Sequence, residues 1–264
     1  MAAENHRRCA LRRKISHFVV CFALLLCVAH GQAGPDQPDK DANAISVVVS
    51  GNYDLEQIVK AHDVQMIPVL EKHFDVASEE VNRKGQIASA LVRLGDKNDI
   101  YWNYLVEQAT EAINSGLPSL ESYDSQGVPI RGQLSPEFTA WVKAHNIPPE
   151  AVGNLVYSLP GKVLLLARTK DPRGIPLLRQ ALQSPYPVIA AFAANGLAAI
   201  QDEASIPLII LACKRSHPDE AETIARSLIY FDDADAQSAA DLYLPKELAR
   251  MLREGRARGI TPFP

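Results

Sequence analysis

Residues 171–201, DPRGIPLLRQALQSPYPVIAAFAANGLAAIQ, lie without a gap over residues 202–232, DEASIPLIILACKRSHPDEAETIARSLIYFD. Nine positions are identical: Asp171/Asp202, Ile175/Ile206, Pro176/Pro207, Leu177/Leu208, Ala181/Ala212, Pro187/Pro218, Ala190/Ala221, Ala194/Ala225 and Leu197/Leu228. Unrelated segments of that length would share about two, at residue frequencies of about 7% each. The chain therefore repeats with a period of 31 residues, a pattern of stacked supersecondary units in which each neighbour covers the apolar face of the last.

The frame extends in both directions. Asp233 repeats Asp202, and Leu91, Leu94, Asp96 and Ile100 stand in for Leu197, Ile200, Asp202 and Ile206, each 106 residues earlier. Asp63, Ile67, Pro68 and Leu70 precede Asp171, Ile175, Pro176 and Leu178 by 108. Repeats thus begin near residues 63, 96, 171 and 202, with a partial fifth from 233. Each unit reads as two antiparallel helices. Pro68, Pro176 and Pro207 fall in the first turn of the first helix, where the missing amide hydrogen has no intrahelical acceptor to lose. The recurring aspartates Asp63, Asp96, Asp171, Asp202 and Asp233 are expected to cap or complement the positive helix end, each worth about 1 kcal/mol. The second helix, over 190–200 or 220–231, carries apolar residues at three and four spacing, and Pro185, Pro187 and Pro218 mark the turn before it.

The Ile-Pro-Leu-Leu run from Ile175, the Ile-Pro-Leu-Ile run from Ile206, and the helix-then-aspartate joints at 88–96 and 194–202 resemble HEAT repeats of the short, phycobilisome-lyase-like type. The likeness covers roughly residues 61–105 and 160–244. It implies an all-α fold, a right-handed α-solenoid of HEAT-like helix pairs (an armadillo-like superhelix), here over 63–252. Such repeats serve many unrelated partners, so the likeness speaks for fold more than for function.

Residues 45–62 read as an N-terminal arm, with a short strand or extended segment at 45–49 and a capping helix at 54–62. Residues 239–258 read as a polar capping helix at the other end, with 253–264 as a tail. Between Asp96 and Asp171 the chain leaves the frame, and an insertion of about 44 residues is expected within 106–160. Inserts in repeat proteins map to one face, frequently the binding face. Residues 117–134 read as an irregular loop with a hairpin around 124–127, followed by helices starting at Ser135-Pro136 and Pro148-Pro149. Aromatic side chains concentrate here, both tryptophans included. Trp102, Phe138 and Trp141 read first as hydrophobic roots pinning the insert to the solenoid; the alternative makes Tyr101, Trp102, Tyr104, Tyr123, Phe138 and Trp141 the candidate contacts for a partner protein or peptide.

Residues 1–33 have the order of a secretory signal peptide: Arg7, Arg8, Arg12, Arg13 and Lys14 against Glu4, an apolar run over 15–29, then Ala29, Gly31 and Ala33 as cleavage candidates. Fifteen helical residues span roughly 22 Å, short of the roughly 30 Å hydrocarbon core. No stable transmembrane span is expected in the mature form, and an uncleaved membrane tether is the alternative. Residues 34–44 hold no large apolar side chain and read as a flexible linker. Of 27 basic and 31 acidic residues, five and one belong to the leader, so 22 and 30 remain and the mature net charge is −8. That balance lacks the positive footprint of a nucleic-acid binder. Cys9, Cys21 and Cys27 depart with the leader, leaving Cys213 as a buried small hydrophobe and no internal disulfide.

Catalytic patterns are missing: the sequence contains no Gly-x-Ser-x-Gly, Ser-x-x-Lys, His-Glu-x-x-His or Cys-x-x-Cys. His62, His73, His145 and His217 lie in separate segments without metal-ligand spacing, and Asp232, Asp233 and Asp235 lack the glycine and distal glutamate of a calcium loop. No catalytic residue, cofactor or metal is expected. The reading is a non-catalytic, exported (periplasmic or secreted) protein-binding or scaffold module. The alternatives are a lyase or accessory enzyme, which the repeat subtype includes, and a structural envelope spacer.

Overall fold

Several helix boundaries along this chain share a left-handed residue followed by aspartate, which ends one helix and aims the next. The computed structural model describes residues 54–77, 83–126 and 128–263; the leader, the linker and the segment at 45–49 lie outside them. Leu55–Pro264 forms one compact unit. Among the described residues there are twelve α-helices: α1 (Leu55–Lys60), α2 (Ile67–Val76), α3 (Arg83–Arg93), α4 (Asp99–Asn114), α5 (Pro136–Ala144), α6 (Pro149–Arg168), α7 (Ile175–Ala181), α8 (Pro187–Ile200), α9 (Ile206–Arg215), α10 (Pro218–Ala225), α11 (Ala234–Tyr243) and α12 (Lys246–Ala257). One antiparallel hairpin, β1 (Glu121–Tyr123) and β2 (Pro129–Leu134), interrupts them. The all-α class expected from the repeat fits this architecture. No helix of the described residues is long and apolar enough to cross a membrane.

His62, Gly95 and Gln201 adopt left-handed backbone at φ 50°, 85° and 61°. Behind each, the aspartate amide reaches back to a carbonyl five residues earlier: Asp63 to Ile58 at 3.1 Å, Asp96 to Leu91 at 3.1 Å and Asp202 to Leu197 at 3.0 Å. These are Schellman closures, which satisfy the otherwise orphaned carbonyls of a helix end. Lys170 is also left-handed at φ 54°, but there the Asp171 amide donates to Thr169 Oγ1 at 3.3 Å instead. After Asp63, Asp171 and Asp202 comes a 3-10 turn (Val64–Met66, Pro172–Gly174, Glu203–Ser205) and then a helix opening Ile-Pro, with Pro68, Pro176 and Pro207 second. Residues 171–201 and 202–232 thus share the order of turn, Ile-Pro helix and a further helix starting at proline, Pro187 or Pro218.

Neighbouring helices pack in succession. The α3 helix touches α2, α4 and α6, α6 touches α4 and α8, and α8 touches α7 and α10. Flanked on several sides, α8 buries Ile189, Ala190, Ala193, Ala194 and Leu197, the three-and-four spacing of an apolar stripe widened by alanines. Leu166, Leu178 and Leu197 are fully buried, each contributing about 1.5–3 kcal/mol of transfer free energy. The closest approach is at Gly196, where a Cβ would stand 2.8 Å from Ala167 Cβ and 3.2 Å from its Cα.

Three expectations are corrected. The helix read over 220–231 ends at Ala225 and continues as the 3-10 turn Arg226–Tyr230. That tightening is tolerated because its carbonyls find outside donors: Gln237 Nε2 reaches Phe231 O at 2.7 Å, and Arg256 Nη1 reaches Ile229 O at 2.9 Å. The capping helix read over 239–258 is two helices, α11 and α12, because Pro245 holds Leu244 in extended backbone at φ −98°, ψ 141°. The insertion read over 106–160 is narrower, since α4 continues to Asn114 and α6 starts at Pro149. The extra chain at 115–148 holds the hairpin and α5. Asp124 Oδ1 shapes the hairpin turn by accepting from the amides of Gln126 at 2.8 Å and Val128 at 2.9 Å.

Candidate functional site

The six aromatic candidates divide by element. On α4, Tyr101 and Trp102 are buried and Tyr104 is half-buried. Tyr101 and Tyr104 meet Phe74 of α2 edge-on at 4.9 and 5.4 Å, with Lys84 Nζ 4.8 Å above the Phe74 ring. Trp102 is plated by the Arg173 guanidinium at 4.4 Å, itself held by Asp171 at 2.7 Å and Asp99 at 3.2 Å. These three rings therefore join α2, α4 and the turn before α7, and their aromatic faces are spent inside the protein.

In the insert, Phe138 is buried and Trp141 half-buried. Ser135 caps α5, accepting from the Phe138 amide at 3.0 Å while its own hydroxyl donates to Ser119 O at 2.6 Å. Trp141 Nε1 donates to Ser115 O at 2.9 Å, tying α5 to the end of α4. Tyr101, Trp102 and Phe138 are thus withdrawn from any exposed aromatic surface, and Tyr104, Tyr123 and Trp141 are half-buried. Tyr101 and Trp102 lie inside because Phe74 of α2 and the turn at Gly174 before α7 cover them, neighbours that local sequence does not announce. Among the described residues, Tyr157, outside that candidate set, is the exposed aromatic, at 76%.

Tyr123 belongs to a different contact. Its ring stacks on His217 at 3.6 Å and 12°. Beside it, Ser119 Oγ donates to Glu220 Oε1 at 2.7 Å, across 101 residues of sequence. Glu220 Oε2 accepts from the His217 amide at 3.2 Å, and the His217 side chain accepts from the Glu220 amide, a reciprocal cap at the start of α10. Burial first, and then the Glu220 carboxylate, push the Tyr123 hydroxyl well above its ordinary ionisation range. The acceptor nitrogen of His217 is engaged by backbone, so Ser119 has no imidazole base aimed at it. The arrangement is a clasp that pins the hairpin to the α9–α10 turn.

The repeat aspartates take three different roles. Asp233 caps α11 through the Ala236 amide at 2.9 Å, and Asp171 caps its 3-10 turn through the Arg173 amide at 2.9 Å. Asp96 closes a local turn onto the Asn98 amide at 2.7 Å, leaving Asn98 to cap α4. Asp63 and Asp202 make no side-chain cap. Asp202 is instead gripped by Arg179 Nε at 3.1 Å and Nη2 at 2.8 Å and accepts from Ser205 Oγ. The expectation of one shared capping role is corrected accordingly: Asp202 lies with the Arg179 guanidinium and Ser205, whereas Asp171 holds both its cap and the Arg173 guanidinium.

His73 is shifted down by burial and by Lys72 and Arg83, whereas His62, His145 and His217 are exposed. Among the described residues no three His, Cys, Asp or Glu side chains gather as a metal site. Sequence reasoning missed Ser119, His217 and Glu220 as a group. Only the His217-x-x-Glu220 spacing was a readable signal, and it announces a cap, not a docked hairpin. No family model, curated protein or solved structure matches the chain. The fold and its contacts define a mostly helical protein of successively packed helices whose hairpin is clasped back onto them.

Proposed function

We infer that the chain is a non-catalytic, exported binding or scaffold module whose helix pairs form a right-handed α-solenoid of HEAT type. The observation that carries this reading is the recurrence of a left-handed residue, aspartate, 3-10 turn and Ile-Pro helix start at 62–68, 170–176 and 201–207. Units closed by one device and packed on their neighbours hold side chains at set spacing. Little ordering entropy is then lost when a partner is bound.

Leu208 and Leu211 of α9 are exposed three residues apart on one helix face, and they are the apolar anchors proposed for a partner protein. The test is a photo-crosslinking residue placed at Leu208 or Leu211 in the native cell, with Glu247 of α12 as the control position. One protein recovered from both leucine positions and absent at Glu247 is the expected result. Recovery of nothing above that control overturns the reading.

A further inference from the structure

Arg93, Arg168, Lys60 and Lys170 converge with Glu56 on a cleft of about 160 Å³, closed on one side by Thr261 and Phe263 of the C-terminal tail. Arg93, Arg168 and Lys60 are the last residues of α3, α6 and α1, and Lys170 follows α6 in left-handed backbone. A cation at a helix C-terminus complements the negative end of the helix dipole, which accounts for part of this gathering. It does not account for its extent. Arg93 grips Glu56 bidentately at 2.6 and 2.9 Å, and Arg168 reaches the same carboxylate at 3.4 Å. One carboxylate thus faces four cations, and neither lysine forms an ion pair among the described residues. The two arginine side chains are only 18% and 25% exposed, so their charge is screened less than at an open surface.

We propose that this cleft is a binding site for a small oxyanion, a carboxylate or phosphate group, seated beside Glu56 between Lys60, Arg168 and Lys170. Planar guanidinium donors suit both anions, and the flanking ammonium groups add charge without prescribing geometry. The volume admits one such group and excludes a folded partner. Nothing in this site depends on the solenoid or on the leucines of α9, so each proposal stands or fails alone.

The test uses the mature protein in two titrations at constant ionic strength against sodium chloride, one with inorganic phosphate and one with citrate, followed by amide chemical shifts. Saturable shifts confined to Lys60, Lys170 and Thr261 are expected, and the tighter of the two anions identifies the preferred oxyanion. The double variant Lys60→Gln/Lys170→Gln keeps the Arg93–Glu56 pair and should weaken binding about tenfold, about 1.4 kcal/mol, with an unchanged far-ultraviolet circular dichroism spectrum. Shifts no larger than those from chloride, or an affinity unaltered in the double variant, overturn the site.

Discussion

Cys213 sits on α9 at 1% exposure, where burial pushes its thiol up to about 12. Only a thiolate attacks a disulfide reagent at an appreciable rate, so the folded protein should leave such a reagent unreacted at pH 8. Reaction should appear with the denaturant midpoint, and a fast native-state reaction would show that α9 opens locally. Gly196 and Gly85 provide a matched pair at the same scale. Alanine at Gly196 drives its Cβ against the backbone of α6, whereas alanine at Gly85 meets the flexible tip of Leu165 at 2.9 Å. Gly196→Ala should therefore cost about 1–3 kcal/mol in urea unfolding and Gly85→Ala clearly less. Equal costs would mean that the α6–α8 spacing is not set at Gly196. The glycine stood inside a recognised joint of the repeat, yet its near neighbour Ala167 lies 29 residues upstream. No local pattern marks that pairing.

Among the elements, α1 is the shortest helix and buries no side chain, so its attachment leans on Glu56. Burial alone would raise the Glu56 carboxyl. The Arg93 hydrogen bonds, with Arg168 and Lys60 nearby, outweigh burial and hold it below 4.5. A carboxyl depressed in the folded state contributes its full stability above the unfolded value and loses it as pH falls through the folded one. Amide exchange in α1 should accelerate as pH drops below about 4.5, after correction for intrinsic rates, and Glu56→Gln should remove that pH dependence. The hairpin offers a second test of an element. Ser119→Ala deletes a hydrogen bond to the Glu220 carboxylate, worth about 1.5–3 kcal/mol, and should lower exchange protection in β1 and β2 while leaving α8 unchanged. The hairpin turn was readable from Asp124 and its neighbours because such turns close within a few residues. Its docking onto α10 was not, because Ser119 and Glu220 meet only after three further helix pairs' worth of chain has folded between and around them.

Across the molecule, α11 and α12 supply Gln237 and Arg256 to the carbonyls of Leu228, Ile229 and Phe231. Ending the chain after Asp232 removes those donors, and three carbonyls left without them, at about 1 kcal/mol each, lower the thermal midpoint by roughly 6–12 °C. Circular dichroism melting of the shortened protein checks this; an unaltered midpoint would mean that the last helix pair is energetically independent of its neighbour. Where helices begin and end was open to reading from the residues alone, since left-handed joints, prolines in first turns and apolar periodicity act within four or five positions of backbone. Folding in three dimensions settled the remainder: which aromatics are hidden, which aspartates cap and which reach an arginine instead, where the insert lies, and how two arginines reach one carboxylate. A side chain between a nearby amide and a distant guanidinium goes to whichever the packed helices bring within about 3 Å, and that distance is a property of the assembled chain.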